Sequence, residues 1–374
     1  MEVGIVSEAS GAGAAPPATG SGSGSGEHWR IWAGAATALV IGGVLVAAII
    51  GTARTSPRIP VSAAADLGVC PATQVAEQVL PTVVTISAAN GRAAGTGSGE
   101  VIRSDGHILT NNHVIALAAD GGEVSVLFND GRSVPAVITG RDPRTDLAVI
   151  KVDGQPPLPV IAYGSSKEVV VGQPVVVLGA PLGLSNTVTS GIVSALDRTI
   201  EVPAEQGQSA LLVSSVQTDA AINPGNSGGA MVDCAGQLIG VPSAGATVPD
   251  SGGGSIGLGF AIPVDLAKAV SDEIIATGKV THAYFGFSLV TVPPAAPGAQ
   301  PRGAYVRSVV PGAPAAQAGL RPGDVITAAD GQPVLTTDDI AALTLTRNPG
   351  DQVVLTYTRA GKQIQATVTL AAAP

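Results

Sequence analysis

Residues 225–229 read Gly225-Asn226-Ser227-Gly228-Gly229, a single serine set in a run that lets backbone approach backbone closely. A serine hydroxyl becomes a useful nucleophile only when a base takes its proton and N–H groups receive the charge that develops on the attacked carbonyl. Flanking glycines suit both needs, because they free the torsions and remove side chains from the reacting region. The same five residues also suit an ordinary Gly/Ser turn, in a chain with 49 glycines. The choice depends on whether a histidine and a carboxylate stand in usable positions elsewhere.

Histidine is scarce: His28, His107, His113 and His282. His28 flanks an apolar segment, and His107 follows the Asp105-Gly106 turn. His113 is expected at the end of the strand ILTNNHV, a rigid place from which to present an imidazole. Asp146 stands just before the run LAVIKV, apolar but for Lys151, where a carboxylate about to be buried needs a partner such as an imidazole N–H. Asp142 is read as a turn cap. The motif also satisfies the loose G-x-S-x-G pattern of α/β-hydrolases, but that fold needs its acid and histidine after the serine, and only His282 follows here. The order His113, Asp146, Ser227 is that of the chymotrypsin-like β-barrel enzymes.

Working outward, residues from about 79 to 262 alternate short β-branched runs with Gly, Pro, Asn and Asp turns, the pattern of an antiparallel all-β sandwich or barrel. Asp105-Gly106 and Asp130-Gly131 are hairpin signals. One helix is expected over Val264–Thr277, with Leu266, Val270, Ile274 and Ile275 at helical spacing and Gly278 as its stop. A fresh strand-and-turn pattern over about 282–374 marks a second small domain. At the other end, 1–30 is expected to be disordered, 31–50 runs uncharged for the ~20 residues of a membrane-spanning helix, and 51–71 forms a linker. Arg30 before the segment and Arg54 and Arg58 after it weakly favour a cytoplasmic bulk by charge.

The chain has 374 residues, is 45% hydrophobic but only 3% aromatic, so its core must be built from Val, Ile, Leu and Ala. A formal charge of −9 and the lack of any basic run argue against nucleic acid as a partner. Cys70 and Cys234 are too far apart in sequence for a CxxC motif; they either pair in an oxidising compartment or remain two buried thiols. Neither a metal site nor a cofactor is expected.

The chain resembles trypsin-like proteases of the HtrA/DegP family. The motifs are LTNNHV with His113, TDLAVIKV with Asp146, QTDAAINPGNSGGAMV with Ser227, GAPLGLSNTVTSGIVSALDR and GLGFAIP. The final segment resembles that family's PDZ domain through YFGF and AGLRPGDVI. The resemblance implies a mostly β chain, with a chymotrypsin-like double β-barrel protease domain over 72–280 and an α+β PDZ domain over 281–374. It implies a triad between two six-stranded barrels, an oxyanion hole from the N–H groups of Gly225 and Ser227, and a specificity pocket along Gly257, Leu258, Gly259 and Phe260 for small or medium apolar residues.

The resemblance further implies unfolded or regulatory proteins as substrates outside the cytoplasm, a homotrimer, and regulation by C-terminal peptides at Tyr284, Phe285, Gly286 and Phe287. A single-pass membrane anchor with both domains extracytoplasmic follows from combining it with segment 31–50. The alternative is a PDZ-based binding or chaperone protein with a latent protease domain. Asn226 stands where many secreted trypsin-like enzymes carry an aspartate that pairs with a newly cut N-terminus, so activation by ordering of loops is expected instead. Three positions depart from the family pattern. Glu100 replaces an apolar residue and points to an altered barrel edge. Pro242 lacks an N–H that could bond a substrate backbone. His282 stands where the family often has a basic residue near the carboxylate pocket.

Overall fold

The computed structural model describes residues 70–91, 93–180, 186–203, 209–245, 254–296 and 302–374. The expected disordered start, the apolar segment 31–50 and nearly all of the linker lie outside these residues. Among the described residues no helix is long and apolar enough to cross a membrane. Residues from Gly68 onward belong to one compact unit.

The described chain begins with helix α1 (Ala72–Val79), which buries Val75 and Val79. The first barrel then follows as β1 (Val83–Ala89), β2 (Ala94–Val101), β3 (His107–Thr110), β4 (Glu123–Leu127), β5 (Ser133–Asp142) and β6 (Leu147–Lys151), with a helical turn α2 (Asn112–Ile115) after β3. These six strands close in the order β1-β2-β3-β6-β5-β4. Both DG signals lie in the hairpins they were expected to form, β2–β3 and β4–β5. The run LAVI at the start of β6 is apolar throughout because both faces of the strand are buried there. Ala148 and Ile150 point into the first barrel's core, Leu147 and Val149 into a second core shared with the next barrel.

That next barrel contains β7 (Ala162–Tyr163), β8 (Pro174–Gly179), β9 (Thr187–Pro203), β10 (Ser209–Thr218), β11 (Ala230–Val232), β12 (Gln237–Gly245) and β13 (Gly259–Pro263). Six of them close through the β11–β12 pairing, and β7 adds a parallel edge strand, one more than the six expected. Helix α3 occupies Val264–Thr277 as the periodicity predicts, and Gly278 stops it in the left-handed conformation with φ 79°. Ala267, Val270 and Ile274 of α3 join Leu109, Leu178, Leu212 and Ile262 in the shared core. Cys70 and Cys234 form a disulfide with Cα atoms 5.1 Å apart, which pins the start of α1 to the turn after β11. The reading that allowed two free thiols is thereby excluded.

The last domain carries β14 (Ala283–Tyr284), β15 (Phe287–Thr291), β16 (Ala304–Val309), α4 (Pro314–Gln317), β17 (Val325–Ala329), β18 (Gln332–Pro333), α5 (Thr337–Thr346), β19 (Gln352–Arg359), β20 (Lys362–Thr369) and β21 (Ala371–Ala372). The main sheet runs β15-β16-β17-β19-β20, leaving β15 as an edge strand. The aspartate of the AGLRPGDVI run, Asp324, is 1% exposed and receives Arg359 Nε at 2.7 Å, Arg359 Nη2 at 2.8 Å and the Arg321 N–H at 2.8 Å. Burial pushes its carboxyl up, but the arginine and that N–H outweigh burial and hold it below the usual carboxylate range.

Two expectations are corrected. Glu100 is not at a barrel edge: β2 is paired with β1 on one side and β3 on the other, and Glu100 is fully buried. His282 does not line the cavity that Tyr284, Phe285, Gly286 and Phe287 border. It lies at the junction between domains, where Nε2 meets Asp142 Oδ1 at 2.9 Å. Asp142 does cap its turn, accepting from Thr145 Oγ1 at 2.6 Å and from the Arg144 N–H at 3.3 Å, and it holds His282 as well.

Candidate active site

His113 lies one step beyond where the sequence pattern puts it. Strand β3 stops at Thr110, and His113 is the second residue of α2. Burial of Val114 and Ile115 draws this turn against the barrel and leaves the His113 side chain 41% exposed on the other side. Asn111 anchors the turn, its Nδ2 donating to the Asp146 carbonyl at 2.9 Å, and the Asn112 N–H donates to the same oxygen at 3.1 Å.

Asp146 occupies a left-handed conformation (φ 58°) that a non-glycine residue adopts at a cost, and these two bonds to its carbonyl help hold it there. Its carboxylate is 3% exposed and surrounded by donors. His113 Nδ1 lies 2.8 Å from Oδ2 and 3.0 Å from Oδ1, the His113 N–H reaches Oδ1 at 3.0 Å, and Ser243 Oγ donates to Oδ2 at 2.6 Å. A neutral imidazole donating from Nδ1 keeps its Nε2 lone pair free to accept a proton.

Ser227 stands on the turn between β10 and β11. The Asn226 N–H closes a turn onto the Asn223 carbonyl at 3.0 Å, with Pro224 at its second position and Gly225 at its third with φ 101°. A type II turn needs that positive φ, which glycine supplies without strain. Among the described residues neither the Gly225 N–H nor the Ser227 N–H is engaged in a hydrogen bond, so both donors are available beside Ser227. Gly228 (φ 78°) could carry no side chain, since a Cβ would lie 2.3 Å from Thr110 Oγ1. Ser227 Oγ donates to the Ser243 carbonyl at 3.4 Å; among the described residues no hydrogen bond joins it to His113.

The sequence reading missed three polar residues that hold these pieces. Ser98 Oγ donates to the Gly225 carbonyl at 2.6 Å and accepts the Ala180 N–H at 2.8 Å, while the Ser98 N–H donates to the Ser227 carbonyl at 2.9 Å. Ser243 and Asn111 both act on Asp146. Each is an ordinary small polar residue in sequence, and only its burial (Ser243 7%, Ser98 and Asn111 0%) marks it. Pro242 sits at the register shift between β12 and β13, where a missing ladder N–H is tolerated, and its carbonyl accepts from the Gly228 N–H at 2.9 Å. Asn226 is 1% exposed and donates from Nδ2 to the Ala221 carbonyl at 3.3 Å.

Of the expected specificity pocket, Gly259 and Phe260 belong to β13 and pair with Thr218 and Gln217 of β10. Gly257 and Leu258 precede the strand, with Leu258 40% exposed and Ile222 packed so closely that a Cβ on Gly259 would strike it. In the last domain, Tyr284, Phe285, Gly286 and Phe287 border one cavity of about 300 Å³ with Leu289, Ile340 and Thr344. Phe285 is buried in that domain's core and stacks on Phe287 with ring centroids 5.0 Å apart.

A barrel pair that brings a buried aspartate onto a histidine beside a glycine-flanked serine defines a trypsin-like architecture. Sequence profiles agree: that of the trypsin-like peptidase domain matches residues 97–241, and that of the PDZ domain matches 283–370. The chain is similar to the serine protease PepD of Mycobacterium tuberculosis, 43% identical over 82% of this chain and 66% of that protein. It is 40% identical to a probable periplasmic serine endoprotease, DegP-like, of Pseudomonas putida, over 75% of this chain and 57% of that protein. It thus spans no more than about two thirds of these relatives' lengths. The solved structure of the HtrA-type protease AlgW with a tripeptide superposes with a TM-score of 0.64 at 34% identity, covering 81% of this chain and 97% of that one. The chain belongs to the HtrA/DegP family of trypsin-like serine proteases with one PDZ domain.

Proposed function

We propose that this protein is a serine endopeptidase whose nucleophile is Ser227, whose base is His113 and whose orienting acid is Asp146. The observation that carries this reading is the His113 Nδ1–Asp146 contact at 2.8 Å, which fixes the ring with Nε2 facing away from the acid. Ser227 Oγ, swung from the Ser243 carbonyl toward Nε2, gives its proton to His113 and forms a bond to the scissile carbonyl carbon. The oxyanion is received by the Gly225 and Ser227 N–H groups. Collapse breaks the C–N bond, His113 returns the proton to the leaving amine, and the acyl-enzyme is then hydrolysed by water activated by the same histidine. Freed of Ser227, the Ser243 carbonyl can accept an N–H from the substrate backbone. The exposed Leu258 and the half-buried Phe260 suit apolar side chains before the cut.

The substrates are proposed to be unfolded or regulatory proteins outside the cytoplasm. The Cys70–Cys234 disulfide supports an oxidising compartment, and the Pseudomonas relative is named as periplasmic. Residues 31–50 are proposed as a single membrane anchor, 72–280 as the protease domain and 281–374 as the PDZ domain, the whole acting as a homotrimer. C-terminal peptides are proposed to add as a strand beside β15 and regulate proteolysis. The Ser227–Ser243 hydrogen bond favours a second reading, a PDZ-based binding protein whose protease site rests unengaged. Hydrolysis of unfolded casein separates the two: the enzyme reading expects cleavage by the wild type and none by Ser227→Ala. Equal hydrolysis by both would remove Ser227 as the nucleophile, and none by either would favour the second reading.

A further inference from the structure

The PDZ groove is bordered by a residue from the other domain. Arg144, on the turn between Asp142 and Asp146, reaches the cavity formed by Phe287, Leu289, Ile340, Ala341 and Thr344, and its Nη2 donates to Thr344 Oγ1 at 2.8 Å. Thr344 lies in the last full turn of α5 and spends its own proton on the Ala341 carbonyl at 2.7 Å, so it acts purely as an acceptor for the arginine. Arg144 is exposed, and among the described residues it forms no ion pair. The acid two residues before it, Asp142, is occupied by His282, Thr145 and the Arg144 backbone N–H. Among the described residues, four guanidinium N–H donors therefore remain without a protein acceptor.

The same cavity holds two further donors. Among the described residues the Phe285 and Gly286 N–H groups bond to no backbone carbonyl, and Gly286 holds φ 84° with Ala313 so close that no Cβ could be accommodated. Residues carrying free backbone N–H groups and a guanidinium thus line the same cavity, making its wall rich in donors. The chemistry that satisfies them is a carboxylate, which accepts bidentately from arginine. The unpaired edge of β15 supplies the ladder for the residues leading up to it.

We infer that Arg144 of the protease domain completes the PDZ peptide site by binding the terminal carboxylate of an apolar C-terminal peptide. A ligand is thus held by both domains at once. This rests on the reading of the groove as a C-terminal peptide site. Arg144 is held in position to do so by the clamped Asp142 turn and by its own carbonyl, which accepts the Leu211 N–H at 3.1 Å.

The test uses the full-length chain with Ser227→Ala, so that peptides are not cleaved. An array of decapeptides ending in Ala, Val, Leu or Phe is presented with free carboxylates and, in parallel, as C-terminal amides. The inference expects the parent to prefer acid over amide, and Arg144→Ala to lose about tenfold or more of that preference while binding the amides as before. Arg144→Lys should recover part of it. An unchanged preference in Arg144→Ala would overturn the inference. So would equal loss of acid and amide binding, which would mark Arg144 as a clamp between domains. If the parent binds no peptide of either kind, the groove reading itself falls, and casein hydrolysis still judges the protease reading separately.

Discussion

Two buried carboxyl groups of the protease domain have opposite surroundings. Asp146, in the cleft, receives the His113 ring, the His113 N–H and the Ser243 hydroxyl at 2.6–3.0 Å. Glu100, near the end of β2, has among the described residues no hydrogen-bond partner at either oxygen although both are fully buried. Burial pushes the Glu100 carboxyl well above the usual carboxylate range, opposed only by its own backbone N–H. The difference does not come from depth, since the two are 3% and 0% exposed. It comes from where donors converge. A helical turn and a strand from different barrels meet at Asp146, whereas Glu100 sits between two strands whose own N–H groups are spent on the sheet. Ser98, two residues away on the same face of β2, shows the intermediate case: it reaches across to the Gly225 carbonyl and the Ala180 N–H and is satisfied. A buried anion in this fold is therefore a built feature, and a buried acid without donors holds its proton more tightly.

The strongest way to break the contrast is to make Asp146 unable to accept. Asp146→Asn presents an amide to His113, so the ring turns its lone pair toward Asn and carries its proton on Nε2, where a base is needed. The expected loss in kcat is about 10⁴-fold with little change in KM, measured on a cleaved peptide at neutral pH. A loss below about tenfold would mean that Asp146 merely fills space.

The converse experiment puts a carboxyl where donors are few. Asn226 is as buried as Asp146, but among the described residues its Oδ1 has no partner and its Nδ2 makes one bond, to Ala221. Asn226→Asp exchanges that donor for a second acceptor and creates another Glu100. We expect a stability loss of about 2–4 kcal/mol at pH 7, seen in denaturant titration, that shrinks toward pH 4 as the new acid is protonated in both states. An unchanged midpoint would show that a cation reaches this site. It would also undo the argument that neutral Asn226 replaces an ion pair to the N-terminus.

The contrast also explains what could be read from the sequence. Chain order and turn chemistry gave His113, Asp146 and Ser227, because each sits in a local pattern: an apolar strand behind Asp146, a glycine run around Ser227. Helix α3 was legible because its periodicity and its Gly278 stop are local too. Ser98, Asn111 and Ser243 were not, since the partners of their side chains lie at least 35 and up to 127 residues away and nothing beside them in sequence announces a partner. The same holds for His282, whose partner Asp142 is 140 residues distant and in the other domain. Glu100 was noticed only as an unusual residue. Its burial depends on the second barrel closing over β2, which no local pattern encodes.

Glu100 provides the smallest effect but the cleanest pH signature. Its folded-state affinity for a proton exceeds that in the unfolded chain, where a glutamate titrates near the usual value of about 4.3. Below that pH both states hold the proton and burial of the acid carries no ionisation penalty. As pH rises past it, the unfolded chain ionises and gains free energy while the folded chain stays neutral, so the native state loses up to about 1.4 kcal/mol per pH unit until the folded group itself ionises. Glu100→Gln keeps the shape and the unsatisfied polar atoms but cannot ionise. It should match wild type near pH 4 and surpass it as pH rises above the unfolded-state value, with activity unchanged because Glu100 is hydrogen-bonded to none of the cleft residues. Glu100→Leu, which removes the orphaned oxygens as well, should add about 1–3 kcal/mol at any pH. If Glu100→Gln instead tracked wild type across this range, the carboxyl would be finding a donor, and the division between a furnished and an unfurnished acid would fail at its simpler member.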